Sequence, residues 1–314
     1  MVRRPQAPAA VLDVDDADGL WAASRALDEG DGVVWVGDDR GGPRGAARHL
    51  RRVRDRDEAR AAGASLRSAC DRVRVMPFLE GVPCGATGWV LPSGVAVGRA
   101  LEMLVLRDGP RMRYCGCASY WDPPEDAHRQ HLDAVRRVGE RLAADLGYRG
   151  AFGVDGIVTR RGFVPTEINT RSGGGATVVG GLDERLLLDL LSAVLAAGGG
   201  AGVPAPALEA AVQRLCADQR VGYAGIRVEQ PWQGDTAHPV AWRDGAYHPA
   251  GDAPPDGTLW AHAMQPVGFL RFVPELAHVR GGAPFAPRVA EALVLADALL
   301  GTAFGRMQAA AAVR

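Results

Sequence analysis

Four polar residues suited to binding a metal and a phosphate fall within one predicted β-hairpin. The segment Phe152–Thr159 is rich in β-forming residues, and Phe163–Thr170 is the return strand. We expect residues 160–162 to make the turn. A three-residue loop of this kind places Asp155 directly opposite Glu167.

Side chains at alternate positions of a strand share one face, so Glu167, Asn169 and Arg171 are expected to lie together. With Asp155 opposite, this face gathers two carboxylates, one amide oxygen and one guanidinium. Hard oxygen ligands from few side chains suit Mg²⁺ that is itself carried by a phosphate. The glycines at 173–175 then allow a ligand to approach the backbone closely.

The composition sharpens this prediction. The chain contains no Lys, only three Ile and a single Asn, and that Asn is Asn169, two residues after Glu167. The alternative is a hairpin with a polar edge and a Gly-rich turn. We favour the functional interpretation because Glu-x-Asn-x-Arg with a facing Asp is a spatially coherent set.

Length and charge set the class of protein. At 314 residues the chain is long enough for two or three structural units, and its 47% hydrophobic and 23% charged composition is ordinary for a globular protein. The net charge of −1 favours neither nucleic acid nor an anionic membrane as a partner. All basic charge is Arg, which prefers planar, bidentate contacts with carboxylates and phosphates.

The five cysteines are scattered without a disulfide or zinc spacing. Cys115 and Cys117 are the one close pair, and we favour strand packing over a metal site for them. No apolar run approaches the roughly 20 residues of a membrane span, and MVRRPQAPAA has no apolar core behind it. A reducing cytoplasm is the expected location. The irregularly spaced histidines of the tail are expected to be ordinary surface or packed residues.

Periodicity and turn signals predict an α+β protein whose first 12 residues are loosely attached. The predicted helices are Asp16–Gly30, Asp57–Ala69, one that opens at Asp122 and stops at Gly147, Asp183–Ala197, Ala205–Cys216 and Pro287–Phe304. The predicted strands outside the hairpin are Val33–Val36, Ala47–Val53, Arg72–Leu79, Thr87–Leu91, Val95–Gly98, Glu102–Leu106, Arg111–Ala118, Tyr223–Glu229, Pro239–Arg243 and Thr258–Leu270.

Two helices carry apolar stripes. In the first, Asp122 is the expected cap and the buried stripe is Leu132, Val135, Val138, Leu142 and Leu146. In the second, one side carries Leu186, Leu187, Leu190, Leu191 and Val194. The Gly-rich linker at 198–202 follows and is the best candidate for a domain boundary.

A second Gly-rich stretch, GDDRGGPRG at 37–45, carries Arg40 and Arg44. Such a loop can fold over phosphates through backbone N–H groups and guanidinium forks. It is not a Walker loop, because GxxxxGK[ST] is absent. A plain hairpin turn explains it equally well.

Taken together, three segments resemble those of ATP-grasp enzymes, in the same order along the chain. They are VVWVGDDRGGPRG, similar to a lid strand with its phosphate loop, VRVMPFLEGVPCG, similar to the hinge strand that receives adenine, and GAFGVDGIVTRRGFVPTEINTRSGGG, similar to the metal hairpin. The match spans about residues 30–195. The phrases RVMPFLEGVPCG and PTEINTR look most like the actinobacterial peptide ligases of the pheganomycin type.

The resemblance implies a fold and a domain organisation. The fold is two α+β subdomains with antiparallel sheets that clamp ATP, plus a small C-terminal α+β domain. The expected divisions are an N-terminal segment (1–29), a lid and hinge subdomain (30–118), a metal-binding subdomain (119–197) and an accessory domain (203–314).

The resemblance also implies roles for individual residues. Arg171 matches the Arg that contacts the γ-phosphate and the acyl-phosphate intermediate. The backbone of Phe78 and Leu79 matches the hinge that binds adenine, and Glu80 is expected to hold the ribose. The matching Mg²⁺ ligands, which bridge the ATP phosphates, are Asp155, Glu167 and Asn169.

The implied activity is a ligase reaction that uses ATP and Mg²⁺. A carboxylate attacks ATP to give an acyl phosphate and ADP, and an amine, such as that of an amino acid or peptide, then displaces phosphate to form an amide. Natural-product biosynthesis is the expected setting. The alternative is a degenerate ATP-grasp protein that binds nucleotide or scaffolds another enzyme; a kinase that uses the same fold is a more distant third.

Three departures from the family pattern support that alternative. The usual lid Lys is replaced, with Trp35 in its slot, so Arg40, Arg44 or Arg99 would have to neutralise the phosphates. Pro83 stands near the place of the usual ribose-binding acid. Only about 30 residues precede the lid, where most members carry a domain. Either a partner or second copy supplies that domain, or the tail replaces it, or activity has been lost.

Overall fold

The structure is a computed structural model that describes residues 8–38, 40, 47–173, 182–200, 202–229, 231–279 and 281–310. Its strands are β1 (Ala10–Asp13), β2 (Val33–Gly37), β3 (Leu50–Val53), β4 (Arg72–Pro77), β5 (Val82–Leu91), β6 (Gly94–Val97), β7 (Leu101–Asp108), β8 (Arg111–Ala118), β9 (Gly150–Thr159), β10 (Gly162–Asn169), β11 (Gly222–Val228), β12 (Thr236–Arg243), β13 (Ala246–Pro249), β14 (Gly257–Met264), β15 (Val267–Pro274) and β16 (Gln308–Ala309).

Its helices are α1 (Ala17–Leu27), α2 (Arg56–Arg67), α3 (Glu125–Leu146), α4 (Leu182–Ala196), α5 (Ala205–Asp218) and α6 (Ala286–Leu300), with a short 3-10 helix at Leu276–His278. The contacts divide the chain into two compact units. Unit 1 comprises 1–80, 105–114 and 307–309, and unit 2 comprises 81–104, 115–306 and 310–314. The four-part division expected from the sequence remains a prediction.

Unit 1 is built on an antiparallel sheet with the order β1-β4-β2-β3. Alternate residues of these strands pack against α1 and α2, and the buried side chains include Leu20, Val33, Trp35, Leu66 and Val75. The expectation that the first 12 residues are only loosely attached was wrong for the end of that segment. Residues 10–12 belong to β1, where Ala10 pairs with Val75.

Trp35 lies on the helix-covered face of this sheet. It is 1% exposed, and its indole Nε1 donates to Ser24 Oγ at 2.8 Å. Since neighbouring strand residues point to opposite faces, it is Val34 and Val36 that face the other way. Placing Trp35 in a ligand-facing slot was therefore wrong.

Unit 2 contains the hairpin sheet. Strand β5 pairs with β6, β7 and β9, and β9 pairs with β10. From β8 the order continues β11-β15-β14-β12-β13. The predicted strand Thr258–Leu270 is in fact the hairpin of β14 and β15, because the chain turns between Met264 and Val267. Strand β13 was not predicted.

Helix α3 covers one face of the hairpin sheet. Val135 is fully buried, while Leu146, predicted to complete the stripe, is 73% exposed beyond the edge of the core. Gly147 ends the helix in the left-handed conformation (φ 61°), as expected. The predicted cap was wrong: the N-cap is Pro124, and Asp122 instead pairs with two arginines.

Helices α4 and α5 share one core, distinct from the one under α3. Leu188, Leu195 and Val212 are buried together there, so the segments on both sides of the 198–202 linker lie in unit 2. The Leu-rich side noted in the sequence faces outwards at four positions. Their exposed fractions are 57% for Leu186, 65% for Leu187, 61% for Leu190 and 40% for Val194.

Candidate functional site

The hairpin of β9 and β10 brings the predicted polar residues together. Asp155 pairs with Glu167 across the two strands, as the sequence predicted. The route to that pairing differs from the expected three-residue loop: Gly162 pairs with Thr159, and a bulge then leaves Thr166 without a counterpart between Pro165 and Glu167. A two-residue turn and a one-residue bulge give the same offset as the predicted loop.

The side chains form a short hydrogen-bonded chain. Asn169 Nδ2 donates to Asp155 Oδ2 at 3.0 Å, and Arg171 Nη2 donates to Asn169 Oδ1 at 3.4 Å. Arg171 Nη1 also donates to the carbonyl of Ser172 at 3.2 Å. Glu167 is exposed on the same face as Asp155. The hairpin thus presents two carboxylates, an amide and a guanidinium to one side.

Asp155 is held in an unfavourable state as an anion. Burial, together with the neighbouring charge of Glu167, raises the pKa of Asp155 to about 6, although Arg171 and the Asn169 hydrogen bond act in the opposite direction. A bound cation would relieve the repulsion between the two carboxylates. Two carboxylate groups and one amide oxygen fit Mg²⁺ whose remaining ligands are phosphate oxygens and water.

A glycine on the adjacent strand makes room for Asp155. Gly85 pairs with Asp155 across β5 and β9, and a Cβ at Gly85 would lie 2.5 Å from Asp155 Oδ1. The Asp155 carboxylate therefore rests against bare backbone. Sequence analysis gave Gly85 no role, although it lies within the hinge-like segment.

His131 on α3 supports the hairpin from its other face, which the sequence did not predict. Its ring stacks on Phe163 with centroids 3.9 Å apart, and its Nε2 lies 3.3 Å from the carbonyl of Val154, next to Asp155. A carbonyl only accepts hydrogen bonds, so Nε2 carries the proton. Burial lowers the pKa of His131 to about 4, so the ring is neutral at physiological pH.

The other metal-binding candidates are not assembled. All five cysteines are buried thiols, which agrees with the packing role expected for Cys115 and Cys117. Within the described residues, no group of three or more His, Cys, Asp and Glu side chains could hold a metal. The hairpin set contains only two such residues, and its third candidate oxygen is that of the Asn169 side chain.

The predicted adenine segment lies in unit 1. Phe78 is 7% exposed, with the Arg52 guanidinium 3.9 Å from its ring centroid and that of Arg107 at 5.0 Å. The Phe78 N–H donates to the carbonyl of Gly32 at 3.0 Å, and Leu79 is half-buried. Adenine binding by the backbone of Phe78 and Leu79 remains a prediction.

Glu80 accepts a bidentate pair from Arg107 at 2.7 and 2.9 Å. Ribose binding by Glu80 remains a prediction.

The arginines proposed to replace the lid Lys have partners or lie outside the described residues. Arg40 forms an ion pair with Asp71 at 2.8 Å and also donates to the carbonyls of Arg67 and Ser68 at 3.2 and 3.4 Å. Arg99 pairs with Asp122. Arg44 lies outside the described residues. Phosphate binding by Arg40 and Arg44 therefore remains a prediction.

No protein-family profile matches the chain. The L-propargylglycine–L-glutamate ligase of Streptantibioticus cattleyicolor is 34% identical over 181 residues, an alignment that covers 51% of this chain and 34% of that protein. The chain thus matches about a third of the length of that relative.

Two solved structures share the fold. The N5-carboxyaminoimidazole synthase of Aspergillus clavatus, solved with ADP and 5-aminoimidazole ribonucleotide, superposes with a TM-score of 0.52 at 11% identity, covering 88% of this chain and 66% of that one. The biotin carboxylase domain of the Hydrogenobacter thermophilus 2-oxoglutarate carboxylase, solved with MgADP and bicarbonate, gives 0.50 at 15% identity, covering 86% and 58%.

The chain therefore has the ATP-grasp fold, an α+β architecture, as the three sequence segments predicted. Within that fold its sequence similarity is to an amino-acid ligase, in agreement with the expected resemblance to the peptide ligases. No helix in the described part of the chain is long and apolar enough to cross a membrane.

Proposed function

We propose that this protein is an ATP-dependent carboxylate–amine ligase that forms an amide or peptide bond and releases ADP and phosphate. The observation that carries the proposal is the hairpin set, in which Asp155, Glu167, Asn169 and Arg171 lie on one face. The ATP-grasp fold and the similarity to an amino-acid ligase support it.

In this proposal Asp155, Glu167 and the Asn169 side-chain oxygen hold Mg²⁺. The ion, when bound, neutralises charge on the ATP phosphates. The Asn169 amide directs its N–H at Asp155 and its oxygen at Arg171, so both groups adjoin the oxygen that would bind the ion.

The proposed reaction has two displacements. A substrate carboxylate oxygen bonds to the γ-phosphorus of ATP while the bond to the ADP oxygen breaks. The amine nitrogen of the second substrate then bonds to the acyl carbon, phosphate leaves and the nitrogen loses a proton. Arg171 is exposed at the end of the hairpin, and its guanidinium would contact the transferred phosphoryl group.

The substrate class follows from the relative and remains part of the proposal. That protein is named for joining two amino acids, so amino acids or short peptides are the proposed acid and amine. We place the reaction in natural-product biosynthesis. Five buried cysteine thiols suit the reducing cytoplasm. A second copy of the chain or a partner subunit is the proposed macromolecular partner.

Thermal unfolding with and without Mg·ATP tests the nucleotide site. A ligand at 100 times its Kd adds about 2.7 kcal/mol to the free energy of unfolding. We expect this stabilisation in the native protein, its loss when Mg²⁺ is chelated and its loss in Glu167→Gln. The matched control is Glu140→Gln, which removes an exposed carboxylate from α3 and should leave the shift unchanged.

ADP release with L-propargylglycine and L-glutamate, and with other amino-acid pairs, then tests the ligase step. Stabilisation by Mg·ATP without turnover of any pair would favour the alternative, a nucleotide-binding or scaffold subunit. That alternative draws on the absence of Lys from the chain and on the ion pair that occupies Arg40. A Glu167→Gln variant as active as the native protein would rule out the assignment.

A further inference from the structure

A second polar cluster in unit 2 lies outside the hairpin set. Asp122 Oδ1 accepts a hydrogen bond from Arg99 and forms an ion pair with Arg220 Nη2 at 2.9 Å. His128, in the first turn of α3, is close enough for both Arg99 and Asp122 to influence its pKa. These four residues are called the arginine-pair cluster below.

The arginine-pair cluster carries an excess of positive charge. Two guanidinium groups share one carboxylate, and burial together with the charge of Arg99 lowers the pKa of His128, which keeps its ring neutral at physiological pH. The same two arginines also lower the pKa of the buried thiol of Cys216, although burial raises it overall, to about 11. The cluster as a whole therefore has a formal charge of +1.

Part of its hydrogen-bonding capacity is unused. Arg220 Nη1 donates to the carbonyls of Ser119 and Tyr120 at 2.8 and 3.2 Å, and Arg99 Nη2 reaches the carbonyl of Trp121 at 3.2 Å. Arg99 Nε and His128 Nε2, however, are buried without a partner among the described residues. A buried polar group left in this way is destabilising, so an acceptor at this position would be favoured.

The cluster is open on one side. The side chains of Arg99 and Arg220 are 14% and 26% exposed, and that of Asp122 is 46% exposed. Solvent therefore reaches part of the cluster, whereas Arg99 Nε itself is buried. A purely structural role, in which the arginines tie residues 119–122 in place, explains the carbonyl contacts but leaves the surplus charge and the buried Arg99 N–H without a counterpart.

We infer that the arginine-pair cluster binds the carboxylate of an amino-acid substrate. A carboxylate supplies the single negative charge that balances the cluster, and its planar pair of oxygens matches the guanidinium fork. This inference rests on the proposed function, because amino-acid ligation requires a place for a carboxylate that does not react. Arg220 and Arg99 are positioning residues in this assignment, since the reacting atoms lie elsewhere on the substrate.

Direct binding tests the inference. The full chain with Mg²⁺ and a non-hydrolysable ATP analogue is titrated with L-glutamate, L-propargylglycine and acetate. Loss of one charge-assisted hydrogen-bond pair should weaken carboxylate binding by about 10- to 150-fold in Arg220→Gln. Arg214→Gln, which removes an exposed arginine from α5, is the matched control and should bind as the native protein does. Arg220→Lys should fall between them, because it keeps the charge and loses the fork.

4-Aminobutanoate, which lacks the α-carboxylate of glutamate, identifies the carboxylate that is bound: it should bind more weakly than L-glutamate. Unfolding of each variant without ligand separates binding from folding, and if Arg220→Gln does not fold, the Arg220→Lys affinity decides. Equal affinities in the native protein and the folded Arg220 variants would overturn the inference, as would native protein that binds none of the probes. Mg·ATP stabilisation of the native protein is scored separately, so a failure here leaves the proposed ligase site standing.

Discussion

The close approach of Gly85 to Asp155 gives a sharp test of the hairpin site. In Gly85→Ala the new Cβ would lie 2.5 Å from Asp155 Oδ1, whereas ordinary contact begins at 3.4 Å. The carboxylate must therefore move by about 0.9 Å, the difference between those two distances. Metal sites require their ligands within about 0.5 Å of the productive geometry, so this displacement should disable Asp155 as a ligand.

The expected effect on folding is small. Ala is favoured over Gly in a strand by about 0.5–1 kcal/mol, which offsets part of the cost of moving a short, half-buried side chain. The free energy of unfolding without ligand should therefore change by no more than about 1 kcal/mol. The effect on ligand binding should be much larger. Groups that orient a metal ligand contribute about 10- to 100-fold to affinity.

These values set the size of the measured change. At a Mg·ATP concentration of 100 times the native Kd, the native protein gains about 2.7 kcal/mol; a 100-fold weaker variant gains only about 0.4 kcal/mol under the same conditions. Thermal unfolding with and without Mg·ATP measures the stabilisation of the native protein and of the variant. Gly153→Ala is the control, because a Cβ there would meet only Asn169 Cβ at 3.9 Å, an ordinary contact.

Two results would refute this reasoning. If Gly85→Ala keeps the full Mg·ATP shift, then Asp155 is not a ligand or its position is not set by this contact. If Gly153→Ala loses the shift as well, the loss reflects any added side chain on these strands and not the crowding of Asp155.

Three further predictions concern pH and packing. Burial lowers the pKa of His131 from 6.5 to about 4, so the neutral ring's contribution to the free energy of unfolding is present above pH 6.5 and lost as the pH falls through 4. His131→Gln should remove on the order of 3 kcal/mol of that pH dependence in urea titrations across this range, and an unchanged pH dependence would contradict the prediction. Burial raises the pKa of Glu102 from 4.5 to about 7, although the N–H groups of Phe285 and Ala286 donate to it. The contribution of the protonated carboxyl to the free energy of unfolding is therefore present below pH 4.5 and lost as the pH rises through 7. Glu102→Gln should remove that loss, also on the order of 3 kcal/mol, and a variant with the native pH dependence would show that another group titrates. On α4, Leu190→Ala at a 61% exposed site should change the free energy of unfolding by less than about 0.5 kcal/mol, whereas Leu195→Ala at a fully buried site should lower it by about 2–5 kcal/mol. Chemical denaturation measures both, and similar midpoints for the two variants would show that the two faces are wrongly assigned.

Local pattern was sufficient to predict the hairpin set. Alternation along one strand places Glu167, Asn169 and Arg171 on a common face whatever the rest of the chain does. The pairing of Asp155 with Glu167 was also predicted, although through a three-residue loop, whereas the structure uses a two-residue turn and a bulge. Only the net offset of the strands matters for the pairing, so the error in the turn did not move the site.

The sequence could not predict in the same way which face of a strand or helix packs against a distant element. The sequence marks Trp35 as one residue of an apolar strand, and only the packing of α1 and α2 decides that it faces inwards. The Leu-rich side of α4 has a core-like pattern, yet Leu188 and Leu195 take the buried positions. Periodicity defines a stripe but not which stripe meets the sheet, because several stripes of a Leu-rich helix are apolar.

By itself, the sequence determined the hairpin and the four residues that it presents, since these depend on neighbours within a few positions. The class of fold was indicated by the resemblance of three segments to ATP-grasp enzymes. The tertiary structure decided what surrounds them. Gly85 meets Asp155, His131 stacks on Phe163, and Arg220 joins Arg99 at Asp122, in each case through a contact between separate elements. Such contacts follow from how strands and helices close on one another, and residues far apart in the chain carry no local signal of that closure.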